Sequence, residues 1–579
     1  MHPTILRSTV GLSLLLAACG SSTPTTPNPP PPPPAAVASV TLSGAPTGPI
    51  APGATATLTA VLRDAANNTL SGRTVTWNST TPAAATVSGG SITAVGVGTT
   101  TISATSEGQS ASVDITVAYV PASVQISRSS SFILTGDTLQ LTGRVIATTG
   151  QEIPGAVVGF TVEQPAIAGL VGATLTALTP GQATVRATAG ALTTTATITV
   201  FAGAGVRVPM LSRLDSVVIS EMIRLGEPGG AVAVVKDGRL VFSRTYGYAD
   251  SAAKRIPTEL DKWRIGSVTK PLTALGIMKL VQNGQLTLDE LAAPRLGAVP
   301  VLPGKTQDPR FANITIRHLL NHAAGWNPSR NVDDSVFAYV YSAATVNATQ
   351  LSRVGRGVPL LNDPGTVYGY TNYAFLLLGR IIEQVTGQSY QSWMQANILA
   401  PVDAGGMKFG VTPVAQRDPL EVVPYDRRAP ITGFYGVGTW PNVGAAQEYA
   451  EAAGQWIGSS KDLARVLAAL DGSPTRADLL SPATLATMWG RSNVLFPGSG
   501  NYYSLGWENT AVTGGFAREH VGGQDGGDSW ISLFPNGAGI AVQFNLTRGQ
   551  GNGGGTAEAA IRTVFGSITT WPAFDLFTQ

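Results

Sequence analysis

Ser267 and Lys270 stand three residues apart in "WRIGSVTKPLTALGIMKLVQNGQL" (residues 263–286), where an apolar helix begins. A serine hydroxyl is a poor nucleophile until a base or a nearby positive charge favours its alkoxide-like form. Lysine is costly to bury, and a core helix has no structural need of one at its start. At a helix N-terminus the two side chains share a side one turn apart, while the unpaired amides add positive potential. Pro271 is compatible with this placement, because first-turn amides have no intrahelical acceptor. Ser251 and Lys254 in "DSAAKRIPTE" have the same spacing, but the polar, proline-broken stretch after them reads as surface.

Two later segments bring further chemistry. In "NDPGTVYGYTNYAFLLLGRIIEQVTG", Pro364-Gly365 makes a turn and a helix starts near Asn372. Tyr370 and Asn372 are two residues apart in the extended segment ahead of it, and so point the same way. A tyrosine beside a lysine ammonium has a depressed pKa and could accept the serine proton. The Asn372 amide could orient both the lysine and a substrate carbonyl. A buried aromatic and an N-cap asparagine are the structural alternatives. In "FAREHVGGQDGGDSWISLF", His520, Val521 and Gly522 fall on a strand just before the final hairpin. A glycine within a strand marks close backbone approach to a ligand. Together with Gly523 it leaves an amide free to meet an oxyanion.

The elements that must position these side chains are legible around them. "MLSRLDSVVISEMIRLG" is amphipathic at helical period through Leu211, Leu214, Val218, Met222 and Leu225. "GGAVAVVKDGRLVFSRTYGYAD" reads as a hairpin turning at Lys236-Asp237-Gly238, and "WISLFPNGAGIAVQFN" as another turning at Pro535-Asn536-Gly537. A helix-hairpin start and a hairpin-helix finish imply one antiparallel sheet with strands from both ends and helices between.

The order Ser-x-x-Lys, Tyr-x-Asn, His-x-Gly resembles the serine penicillin-recognising superfamily: class C β-lactamases, D-alanyl-D-alanine carboxypeptidases and related esterases. "GQLTLDELA", "ITIRHLLNHAAGW" and "GQWIGSSKDLARVLAAL" agree with it. The resemblance covers residues 206–575. Ser-Val-Thr-Lys with a histidine third motif is most similar to the carboxypeptidase and esterase branches. The resemblance implies an acyl-enzyme on Ser267, with Lys270 and Tyr370 sharing its proton. It also implies substrate contacts from Asn372, His520 and Gly522, and an oxyanion site from the amides of Ser267 and Gly523. Val521 stands where the family commonly has a threonine whose hydroxyl holds a substrate carboxylate. The expected substrate is therefore an ester, peptide or neutral amide rather than an efficiently hydrolysed β-lactam. The rival reading is a surface binding or adhesion protein with a retained hydrolase fold. The intact Ser267, Lys270, Tyr370 and Asn372 argue against it.

Upstream the texture is different. "ASVTL" (38–42) recurs as "ASVQI" (122–126), "GTTTISAT" (98–105) as "GQATVRAT" (181–188), and Trp77 aligns with Phe160, a period of about 83 residues. Alternating Val, Thr and Ile broken by Gly and Pro signal short antiparallel strands in sandwiches. The two copies, 36–118 and 119–202, resemble bacterial immunoglobulin-like domains of the invasin/intimin type. They read as spacers, with contact to an envelope glycan or protein as the alternative. Before them, residues 19–35 carry a proline tract that forms an extended polyproline spacer. "MHPTILRSTVGLSLLLAACGSS" has a short apolar run ending in Leu16-Ala17-Ala18-Cys19. It resembles a lipoprotein signal over 1–18, lipid-modified at Cys19 and favouring an outer membrane of the bacterial envelope.

The bulk composition excludes several classes. With 579 residues, several cores are needed. A net charge of +2 without a basic run gives nucleic acid nothing to hold. Cys19 is the only cysteine, so no internal disulfide or thiolate zinc site can form. His318 and His322 in "HLLNH" have zinc-helix spacing but lack the glutamate and a third ligand. No metal or cofactor is expected. The fold class expected is multidomain, two all-β immunoglobulin-like sandwiches followed by an α/β (α+β) β-lactamase-like domain whose antiparallel sheet is flanked by helices.

Overall fold

A computed structural model describes residues 34–128, 131–297, 300–326, 331–342, 347–411, 414–425, 450–492, 494, 500–524, 526–547 and 556–578. The leader, Cys19 and most of the proline tract lie outside the described residues. The chain forms two compact units, one of residues 1–122 with 146–153 and the other of 123–145 with 154–579.

The first unit is strand-rich. Ser39–Ser43, Thr59–Arg63 and Thr69–Leu70 form one antiparallel sheet, and Thr55–Thr57, Ser91–Ala94 and Ala85–Ser88 a second. Thr76–Ser79, Gly98–Ser106 and Gln109–Val117 form a third. Alternate residues of Gly98–Ser106 turn inward, burying Thr100, Ile102 and Ala104. In the second unit, Gly159–Val162, Gly181–Ala189 and Leu192–Phe201 repeat that third sheet. Trp77 pairs with Ala104 and Phe160 with Ala187, so the sequence repeat is also a repeat of strand register. Both segments are compatible with β-sandwiches.

The rest of the second unit is built on an eight-stranded antiparallel sheet. Its elements, in chain order, begin with strand β1 (Gly203–Gly205), helix α1 (Ser212–Leu225) and strands β2 (Gly229–Lys236) and β3 (Arg239–Gly247). Helices α2 (Thr269–Gln282), α3 (Asn372–Thr386) and α4 (Ser460–Ala468) follow. Strands β4 (Tyr502–Tyr503), β5 (Glu508–Val512), β6 (Gly515–Gln524), β7 (Gly527–Leu533) and β8 (Ala538–Phe544) come next, and helix α5 (Glu558–Gly566) is last. The spatial order is β1-β3-β2-β8-β7-β6-β5-β4, so strands from the two ends meet at β2 and β8.

Both faces of this sheet are covered, which is why β2 reads as a continuous apolar run. Val232 and Val234 join a cluster with Leu214, Val218 and Met222 of α1 and Ile561 and Phe565 of α5. Ala233 and Val235 face the other way, into the larger cluster built from α2, α3 and α4. The β2–β3 turn is the two-residue Asp237-Gly238, both with left-handed φ (50° and 74°). That geometry suits the twist of a hairpin and favours Asp-Gly. Helix α2 is buried nearly all round, from Thr269 to Met278. It is the central helix of the larger cluster and carries Lys270 at its first turn.

Candidate active site

Ser267 sits in a 3₁₀ turn, Gly266–Val268, that leads directly into α2. Two glycines let the sheet approach this turn. A Cβ on Gly266, whose φ is +46°, would lie 3.0–3.1 Å from backbone atoms of Gly523, and one on Gly522 would lie 2.0 Å from the Ile265 carbonyl oxygen. Ser529 of β7 fastens the contact, donating its hydroxyl to the Ile265 carbonyl at 2.7 Å. The close approach expected at Gly522 is therefore to the nucleophile's own segment. Gly523 is exposed beside Ser267, which is itself partly exposed.

Lys270 is fully buried. Its ammonium donates to Ser267 Oγ (2.9 Å), Asn372 Oδ1 (2.7 Å) and the Ala453 carbonyl (2.9 Å). Three protons meet three acceptors, which offsets the cost of burying the charge. The ammonium also lies 4.8 Å from the Tyr370 ring centroid and 5.8 Å from that of Phe375. The Tyr370 hydroxyl reaches Ser267 Oγ at 2.8 Å. One hydroxyl thus contacts both an amine and a phenol. Ser251 and Lys254 are exposed, as a surface pair should be.

Asn372 is the first residue of α3, and the cap belongs to its neighbour. Thr371 accepts the Ala374 amide at 3.0 Å, which leaves the Asn372 side chain to the lysine. Asp333 holds the helix start, accepting the amides of Asn372 (2.9 Å) and Tyr373 (3.1 Å). His520 is buried on β6. Its Nδ1 donates to the Val521 carbonyl at 2.7 Å, since a carbonyl can only accept. Its Nε2 pairs with the Tyr503 hydroxyl at 3.0 Å. Burial raises the Tyr503 pKa well above its usual value and keeps the phenol a proton donor. Val521 packs against the outer apolar cluster with Trp530 and offers the site no hydroxyl.

The two histidines of "HLLNH" are used separately. His318 Nδ1 accepts the Thr315 amide (3.3 Å) in a capping box, and His322 Nδ1 accepts the Thr371 amide (3.3 Å). Among the described residues no group of three metal-ligating side chains occurs. Sequence reasoning missed Tyr503, Asp333 and the Ala453 carbonyl. Nothing in their local pattern marks them, and only the fold brings them to the site.

The layered sheet and the Ser-Lys-Tyr-Asn cluster define a hydrolase domain of the β-lactamase fold. Residues 214–564 match the family model described as Beta-lactamase, and the chain belongs to that family. It is similar to Protein flp of Staphylococcus aureus (strain COL), at 28% identity over 190 residues, 33% of this chain and 36% of that protein. It thus spans about a third of that relative's length. It is also similar to Esterase EstB of Burkholderia gladioli, at 29% identity over 292 residues, 46% of this chain and 71% of the esterase. The D-amino acid amidase of Ochrobactrum anthropi SV3 shares the fold, with TM-score 0.50 and 22% identity over 62% of this chain and 99% of the amidase.

Proposed function

We propose that the chain is a cell-envelope serine hydrolase that cleaves small esters, amides or peptides through an acyl-enzyme on Ser267. One observation carries this reading: Ser267 Oγ lies 2.9 Å from Lys270 Nζ and 2.8 Å from the Tyr370 hydroxyl. With the Lys270–Tyr370 pair holding one proton fewer than ammonium plus phenol, a titration the two share, Ser267 passes its proton to the pair as it attacks the substrate carbonyl. The amides of Ser267 and Gly523 stabilise the oxyanion, and the leaving alcohol or amine departs with that proton. Water, deprotonated at Tyr370, then releases the acid and restores Ser267.

The ester or neutral-amide preference rests on the third motif. A β-lactam or D-Ala peptide presents a carboxylate, and here Val521 packs away into the outer cluster while both ring nitrogens of His520 are already engaged. Losing a hydroxyl partner for a charged group costs about 1.5–3 kcal/mol. The purified protein is therefore expected to hydrolyse p-nitrophenyl acetate with a higher kcat/KM than a chromogenic cephalosporin. The reverse order would remove the role given to position 521.

The same reading places the enzyme on a membrane through a lipid on Cys19, favouring an outer membrane. The proline tract and the two immunoglobulin-like segments hold the catalytic domain away from the surface. Two acyl chains make such an anchor stable. In fractionated bacteria the Cys19→Ser protein should move from the membrane pellet to the soluble fraction. Retention in the pellet would place the anchor elsewhere.

A further inference from the structure

His322 is fully buried, and the acyl-transfer scheme does not use it. Its backbone is left-handed, with φ 57°, a region few non-glycine residues enter. Its carbonyl accepts the Gly369 amide at 2.7 Å, and its Nδ1 accepts the Thr371 amide at 3.3 Å. These are the amides on either side of Tyr370. The imidazole also lies on the Tyr370 ring, with centroids 4.3 Å apart and planes tilted by 39°. Tyr503, Phe375 and Tyr368 enclose it at 4.8, 5.1 and 5.9 Å.

We propose that His322 is the positioning residue for Tyr370, gripping the chain on both sides of the phenol and setting the plane of its ring. The inference rests on the acyl-enzyme reading, in which Tyr370 handles protons at Ser267. A phenol that must meet Ser267 Oγ at 2.8 Å has little tolerance for tilt. Tyr370 lies ahead of Thr371, the N-cap of α3, and so stands outside the helix. An Nδ1 acceptor requires the neutral ring with its proton on Nε2. Burial, followed by the nearby Lys270 ammonium, holds the His322 pKa well below its usual value and keeps the ring neutral. Nε2 has no hydrogen-bond partner among the described residues. The ring is held for its acceptor and its face, even with one donor unused. Asparagine could supply the acceptor and the left-handed backbone but not the face.

The test is a double-mutant cycle. Hydrolysis of p-nitrophenyl acetate and the rate of fluorophosphonate labelling are measured for His322→Ala and His322→Asn, each alone and with Tyr370→Phe. Melting curves confirm that each variant is folded. His322→Ala should lower kcat by about 10- to 100-fold with KM nearly unchanged, and His322→Asn should recover part of the loss. On the Tyr370→Phe background, where no phenol is left to position, neither His322 variant should cost more than about 2-fold. If His322→Ala does not fold, His322→Asn carries the same comparison. Equal losses on the two backgrounds, or an unchanged kcat, would overturn the proposal. A fully active Tyr370→Phe enzyme would instead overturn the acyl-enzyme scheme beneath it, and the single variant shows that separately.

Discussion

A Ser267→Ala enzyme is expected to lose covalent labelling by a fluorophosphonate or a labelled penicillin, and to lose ester hydrolysis by about 10⁴- to 10⁶-fold. Removing the nucleophile leaves only what binding and the oxyanion amides supply, so the effect is among the largest a single substitution can have. Stability should barely change, because Ser267 is partly exposed and alanine fits a first helical turn. Lys270 would keep its bonds to Asn372 and the Ala453 carbonyl, so the site should hold its shape. The check is intact-protein mass spectrometry after labelling, beside a melting curve. An unchanged adduct on the folded variant would falsify the assignment of the nucleophile.

The second large effect is expected at the other end of the sheet, and it concerns folding. Arg244 of β3 is buried, donating to Asp137 at 2.7 Å and to Asp215 of α1 at 3.1 Å. Tyr246 donates its hydroxyl to the second oxygen of Asp215 at 2.8 Å. Arg244→Met would leave two buried carboxylates facing each other without their cation. Breaking a buried pair in this way costs about 3–5 kcal/mol, because the orphaned charges stay desolvated. Burial already pushes the Asp215 carboxyl above its ordinary value, and loss of the guanidinium would raise it further. A carboxyl raised in the folded state favours folding below its unfolded pKa and loses that contribution as pH rises. The deficit of the variant should therefore be largest near neutral pH and shrink toward pH 4. Urea melts at pH 7 and pH 4.5 measure it, and an equal deficit at both would mean that packing alone is responsible.

Much of the site could be read from the chain because each motif is local. Ser267 and Lys270 are one helical turn apart, whereas Asn372, read with Tyr370 as part of an extended segment, is the first residue of α3. The hairpin at Asp237-Gly238 and helix α1 were legible for the same reason, through turn chemistry and period. What escaped lies far apart in sequence or in the backbone. Asp137 and Arg244 are 107 residues apart, and a lone aspartate in a strand-rich repeat carries no mark of a distant partner. Ala453 takes part through its carbonyl, which every residue possesses. Asn372 looked like a cap, but Thr371 makes that bond and frees the amide for the lysine. "FAGAGVRVP" read as a change of texture between domains. Its three small residues form strand β1, slight enough to lie along β3 where a Cβ on Gly203 would strike the Thr245 carbonyl at 2.4 Å.

That short edge strand has a mechanical consequence. Strand Leu192–Phe201 ends one residue before β1 begins, and the Gly247 amide donates to the carbonyl of the intervening Ala202 at 2.8 Å. No swivel can operate at that joint without tearing hydrogen bonds from the sheet. Whatever heading residues 192–201 take, the sheet that holds Ser267 must follow, so the strand acts as a rigid mount rather than a tether. Splicing a few glycines between Phe201 and Gly203 would turn the mount into a leash.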